Sequence, residues 1–254
     1  MNPKSGSFHV DLRMTRHLTQ VALTVPEREI LLTIYTQILG AHFETFEAAN
    51  QSYAPKLVSA TQQVFAALAN SPQFMPTAVK FHYQFNMRDC ARIVQNLLLS
   101  QATVAKNNNV SLARMWAHEC QRVWYDRLLF PADQEAYMGF MRNAMKELDY
   151  PEAQVMGGEE PLIFTSFVAV ANGHEAAYKQ VASMEELNTV LEQKLQEYND
   201  EVSTMDLVLF NQAMEHITRI ARILYQPCGN ALLVGVGGSG KQSLSKLATF
   251  ILDY

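Results

Sequence analysis

The sequence NALLVGVGGSGKQSLSKLATFILDY, Asn230 to Tyr254, restricts the fold more than any other stretch. Ala231 to Val234 is a short apolar run before a glycine, which suits a buried strand of a parallel sheet. Gly235, Gly237, Gly238 and Gly240 follow, then Lys241, then a helical pattern with Leu244, Leu247, Ala248 and Ile251 on one face. Gly235 to Lys241 meets the spacing G-x-x-x-x-G-K. Glycines at these positions let backbone N–H groups turn inward around phosphates. The helix N-terminus adds partial positive charge, and the lysine adds a full one. Gly235, Gly237, Gly238, Ser239, Gly240, Lys241, Gln242 and Ser243 are therefore the candidate nucleotide-binding residues. One position departs from the motif. The residue after the lysine should carry a hydroxyl for Mg²⁺, but it is Gln242, with Ser243 one place later. A glutamine carbonyl can ligate Mg²⁺, yet its longer side chain must fit a tight octahedral shell. The loop thus predicts nucleotide binding more firmly than hydrolysis.

The 254 residues are enough for one large core or two modest ones, and 48% hydrophobic against 18% charged is a globular composition. A net charge of −5, with no basic block, argues against nucleic-acid binding. Cys90, Cys120 and Cys228 are odd in number and far apart, which suits a reducing compartment and no disulfide framework. The sequence shows no signal peptide and no apolar run of membrane-spanning length, so a soluble, intracellular chain is expected.

Along the chain, LTQVALTV (residues 18–25) alternates like a strand. Pro26 is expected to open a helix with Ile30, Leu31, Ile34, Tyr35, Ile38 and Leu39 as its apolar stripe. Further helices are predicted at about 53–68, from Asn86, over about 111–128 and after Pro131. The stretch DYPEAQVMGGEEP, 149–161, reads as a linker. Ser183 and Glu186 form a possible capping box for a helix to Tyr198. Another helix is predicted over about 204–224, with Val208, Leu209, Ala213, Ile217, Ile220 and Leu224 in register. His118, in HEC, lacks the second histidine of a zinc helix and reads as a polar position on an amphipathic helix. Taken alone, Arg13, Arg16 and Arg88 read as ordinary surface arginines.

The stretch CGNALLVGVGGSGKQSLSKLA closely resembles the phosphate loop of the fourth AAA+ module of axonemal dynein heavy chains, including the Gln after the lysine. MNPKSGSFHVDLRMTRHL is similar to the end of the large subdomain of the third module. FHYQFNMRDCARIVQNLLL is similar to that module's helical small subdomain. The resemblance implies a mainly α-helical fragment: the helical small subdomain of one AAA+ module joined to the first strand and helices of the next, α/β module. It divides the chain into the end of the large subdomain (1–25), the small subdomain (26–148), a linker (149–182) and the start of the fourth module (183–254).

It also implies roles. Asn2 matches the sensor asparagine that orients the attacking water. Arg16 matches the arginine finger toward the preceding module, with Arg13 the second choice. Arg88 matches the second sensor arginine. In each role a cation or polar group acts on charge developing at the transferred phosphoryl group. ATP and Mg²⁺ are the implied ligands. Neighbouring AAA+ modules, other dynein chains and microtubules are the implied partners, the last two through the full heavy chain. Nucleic acid and membrane are not among them. The implied setting is the cytoskeleton of a cilium or flagellum, and the implied function is that of a segment of an ATP-driven microtubule motor with a regulatory ATP site. As an isolated polypeptide the chain is not expected to hydrolyse ATP. Two other readings stay open: a stand-alone helical interaction protein with a vestigial phosphate loop, and a small P-loop kinase. The kinase is disfavoured because only 13 residues follow Lys241.

Overall fold

The computed structural model describes residues 13, 16–19, 21, 26–105, 109–157, 161–171 and 177–253. Asn2 and most of the strand expected over 18–25 lie outside them.

Five helices build the first unit: α1 (Arg28–Phe43), α2 (Ala54–Asn70), α3 (Met87–Leu97), α4 (Asn109–Val123) and α5 (Pro131–Met145). Local chemistry sets their starts. Pro55 and Pro131 occupy first turns, where the missing N–H costs no hydrogen bond. Asn86 caps α3 by accepting from the Arg88 N–H at 2.9 Å, and Asp89 reaches back to the Asn86 N–H at 3.1 Å. α1 opens at Arg28 rather than at Pro26, because Glu27 before it is extended. Its expected stripe also divides. Leu31, Leu39 and Phe43 turn to the core, while Ile30, Ile34 and Ile38 face outward.

α4 is the axial helix. Trp116, Cys120, Val123 and Trp124 are buried as the spacing predicted, and the Trp116 indole donates to Thr61 Oγ1 of α2 at 2.8 Å. α1 and α5 pack on α2, and α3 packs on α4.

Beyond α5 the chain is not free of structure. Residues Glu152–Val155 form a helical turn with Val155 wholly buried. Arg114 of α4 donates to the carbonyls of Gln154, Val155 and Gly157, the last at 2.6 Å, and to Gln180 Oε1. A two-stranded antiparallel hairpin follows, β1 (Phe164–Thr165) on β2 (Lys179–Gln180), with Phe164 opposite Gln180.

The second unit contains α6 (Met184–Glu201), α7 (Asn211–Tyr225) and α8 (Lys241–Ile251). Ser183 Oγ accepts from the Glu186 N–H at 3.1 Å, one half of the expected capping box, while the Glu186 carboxylate accepts from the Ala182 N–H at 3.0 Å instead of that of Ser183. α7 begins seven residues later than the expected position 204. Residues 203–210 are irregular, and Val208, assigned to the helix's apolar face, is 75% exposed. Leu187, Leu191, Ile217 and Leu247 centre this second core. Among the described residues, no helix is long and apolar enough to cross a membrane.

Candidate functional site

α7 runs to Tyr225 and then turns sharply. Cys228 has φ 58°, and a Cβ on Gly229 would lie 1.8 Å from the Ile223 carbonyl oxygen. Only glycine fits there, so the turn leaves α7 in one direction. Residues 230–236 are then extended with alternating exposure: Leu233 packs toward the second core, while Leu232, Val234 and Val236 face out. The predicted buried strand is thus exposed on one face and forms no ladder. A strand needs a neighbour for its N–H and C=O groups, and none lies beside it among the described residues.

The glycine loop bends through two left-handed backbone positions. Gly238 and Gly240 take φ of 75° and 74°, which side chains resist. Gly240 is the N-cap of α8 and no side chain caps that end, so the first-turn N–H groups of an 11-residue helix remain available to an anion. Lys241 is the first helical residue. Its ammonium donates to the carbonyls of Gly235 at 2.8 Å and Val236 at 2.5 Å and to Ser239 Oγ at 3.0 Å. A Cβ on Gly235 would lie 3.2 Å from Ser239 Oγ and 3.5 Å from Lys241 Nζ, so the loop folds tightly over its lysine. Leu244, Leu247, Ala248 and Ile251 anchor α8 in the second core, the face the sequence predicted. Gln242 points outward and Ser243 is half-buried.

Two features escaped the sequence. A cleft of about 240 Å³ beside Ser239 and Gly240 is lined by Leu207, Phe210, Gln212 and His216. Assigning 204–224 to one helix hid the irregular segment that forms its wall. A larger cleft of about 790 Å³ flanks Gly235 to Lys241, and Arg122, Asp126, Arg127 and Arg219 stand on its far side. Asp126 pairs with Arg122 at 3.3 Å and with Arg219 at 3.4 Å. Nothing in the spacing of these residues announces that they meet.

The remaining sequence candidates sit elsewhere. Arg88 is exposed on the first turn of α3, and its guanidinium makes no hydrogen bond or ion pair among the described residues. Arg16 is exposed and bonds His17 Nε2 at 2.8 Å. His118, expected as a polar position on an amphipathic helix, is 3% exposed, with the rings of Phe164 and Tyr178 tilted against it. No cluster of three or more metal-ligating side chains occurs among the described residues.

Residues 205–254 match the family model described as "P-loop containing dynein motor region D4", and residues 57–154 match the "AAA+ lid domain". The flagellar outer-arm dynein beta chain of Chlamydomonas reinhardtii is 43% identical over 100% of this chain. The ciliary dynein beta chain of Tripneustes gratilla and the dynein axonemal heavy chain 17 of Homo sapiens are each 42% identical over 99% of it. The chain spans only 6% of the length of each of these relatives.

Proposed function

The chain belongs to the axonemal dynein heavy-chain family, and from that premise we propose that it is the joint between two AAA+ modules of an ATP-driven ciliary or flagellar motor. The lid match over 57–154 and the D4 match over 205–254 support this placement. On this reading the loop Gly235–Ser243 holds ATP in a regulatory role. The observation that carries it is the loop itself: two left-handed glycines, an uncapped helix N-terminus and a lysine at its first position. The chain's groups fit a triphosphate. The N–H groups of Gly237 to Gln242 and α8's first turn would take phosphate oxygens, and Lys241 would exchange neutral carbonyls for charged acceptors, which bind an ammonium more strongly. Bound ATP supplies the charge that a Mg²⁺ ion would share with the Gln242 carbonyl or the Ser243 hydroxyl. The cleft of Leu207, Phe210 and His216 beside the loop offers apolar and aromatic surface to the base.

Arg88 would serve as second sensor and Arg16 as arginine finger for nucleotides of other modules, with Asn2 orienting water. The exposed positions of the two arginines leave them accessible for such contacts. Microtubules and other dynein chains would be partners of the whole heavy chain in the axoneme. The test is Lys241→Ala, titrated with a fluorescent ATP analogue. We expect affinity to fall at least about tenfold, the factor equivalent to about 1.4 kcal/mol, with the circular dichroism spectrum unchanged. Equal affinity in the two proteins would refute the nucleotide reading and favour a helical interaction module.

A further inference from the structure

A wholly buried carboxylate links the lid to the helix that leads into the loop. Glu119 of α4 is wholly buried. It accepts from Asn96 Nδ2 of α3 at 2.5 Å and from the Tyr178 hydroxyl beside β2 at 2.7 Å. From α7, Arg222 donates to it through Nε at 3.1 Å and through a second, shorter contact. Asn96 is bridged onward: its Oδ1 accepts from Gln226 Nε2 at 2.5 Å. Arg222 and Gln226 are the last turn of α7 and the residue that ends it. After Gln226 the tight turn over Ile223 admits no side chain at Gly229, and its N–H returns to the Gln226 carbonyl at 3.0 Å. The extended segment and Gly235 follow at once.

We infer that Glu119 is a positioning residue for the nucleotide loop, setting through Arg222, Asn96 and Gln226 the direction in which residues 226–236 present it. The inference rests on the reading of Gly235–Ser243 as a nucleotide site. Its physical basis is that a buried pair has few alternative arrangements: removing one partner strands the other's charge, so the joint holds one geometry or breaks. The same helix, α3, carries Arg88 on its first turn and Asn96 near its end. Arg88 and the Glu119–Gln226 grip thus sit at opposite ends of one helix. Removing the grip should release the loop without unfolding either core.

The experiment compares this chain with Glu119→Gln and Gln226→Ala by hydrogen exchange and by titration with the fluorescent ATP analogue. Amides of 222–229, the last turn of α7 and the turn that ends it, should exchange about fivefold faster or more in both variants, with 54–68 unchanged, and affinity should fall by a similar factor. Gln226 is half-exposed, so its truncation decides the matter if Glu119→Gln fails to fold. Unchanged exchange over 222–229 in Gln226→Ala overturns the proposal, as does faster exchange with unaltered affinity. If neither the parent chain nor Lys241→Ala binds the analogue, the nucleotide reading fails, and the exchange result alone decides whether the tie exists.

Discussion

His118 shows how one side chain can make this fold sensitive to acid. Its Nδ1 lies 3.0 Å from the Leu162 carbonyl oxygen, and its Nε2 lies 3.8 Å from Glu119. Burial pushes its pKa down from 6.5 to about 3; Glu119 opposes this, and Arg122 and Arg222 reinforce it. The unfolded chain therefore binds a proton that the folded chain refuses anywhere between those two values. Stability should fall as pH drops through 6.5, by up to about 1.4 kcal/mol per unit. Glu119 acts in a different window. Burial raises its pKa, but Arg222, His118 and Tyr178 more than offset that and hold it below 4.5. A depressed carboxylate contributes its stability above its unfolded value and loses it only below, so Glu119 is silent between pH 6.5 and 5. In that interval His118 lowers stability on acidification, whereas Asp126, whose pKa burial raises from 3.8, acts with the opposite sign. His118→Gln should reduce the slope by close to one proton, measured from urea midpoints at pH 7, 6 and 5. An unaltered slope would remove His118 as the source. The sequence reads this histidine as a polar position on an amphipathic helix. The rings that cover it, Phe164 and Tyr178, arrive from a hairpin more than 40 residues away, and no local pattern encodes that.

At the level of elements, what local chemistry determines was legible and what remote packing determines was not. The face of α8 was readable because four apolar residues at helical spacing bury together. The Ser183 cap was readable because it involves neighbours only. The start of α7 was misplaced because Val208 and Leu209 continue the helical spacing backward, yet both sit in an irregular segment in which Leu209 packs against the second core and Val208 faces out. The stripe of α1 was over-read for a similar reason: six apolar residues fit the period, but the helices packed on α1 cover only part of them. The cap of α3 has a further consequence. Asp89 serves both the Asn86 N–H and Arg127 NH2, the latter at 2.6 Å, so the cap also pins the chain after α4. Asn86→Ala should cost about 1 kcal/mol of stability, the usual worth of such a cap, and Asp89→Ala more, because it also strands Arg127. Urea unfolding of the two variants checks the order. Equal midpoints would show that the Arg127 contact contributes nothing.

On the scale of the whole molecule, the two cores differ in what they leave uncovered. The helical unit closes around α4, whereas the second unit carries an extended segment with only one face packed. Leu232, Val234 and Val236 are 89%, 88% and 79% exposed, and their backbone groups have no ladder partner among the described residues. An open, apolar, unpaired edge is a template for another strand. In a parallel α/β sheet both faces and both edges of such a strand are covered, which is the setting that the D4 match implies for residues 205–254. Taken as a 254-residue polypeptide, the chain should therefore cover this edge with a second copy. Sedimentation velocity should show association that rises with concentration. Val234→Lys places a charge on the open face, where it meets no core residue, and should suppress association while leaving the helical content intact. If the lysine variant associates as strongly as the parent, the contact lies elsewhere, and the outward stripe of Ile30, Ile34 and Ile38 on α1 is the next surface to charge. If the parent is monomeric at every concentration, the edge is protected within the single chain. The segment would then be more ordered in isolation than its exposure implies.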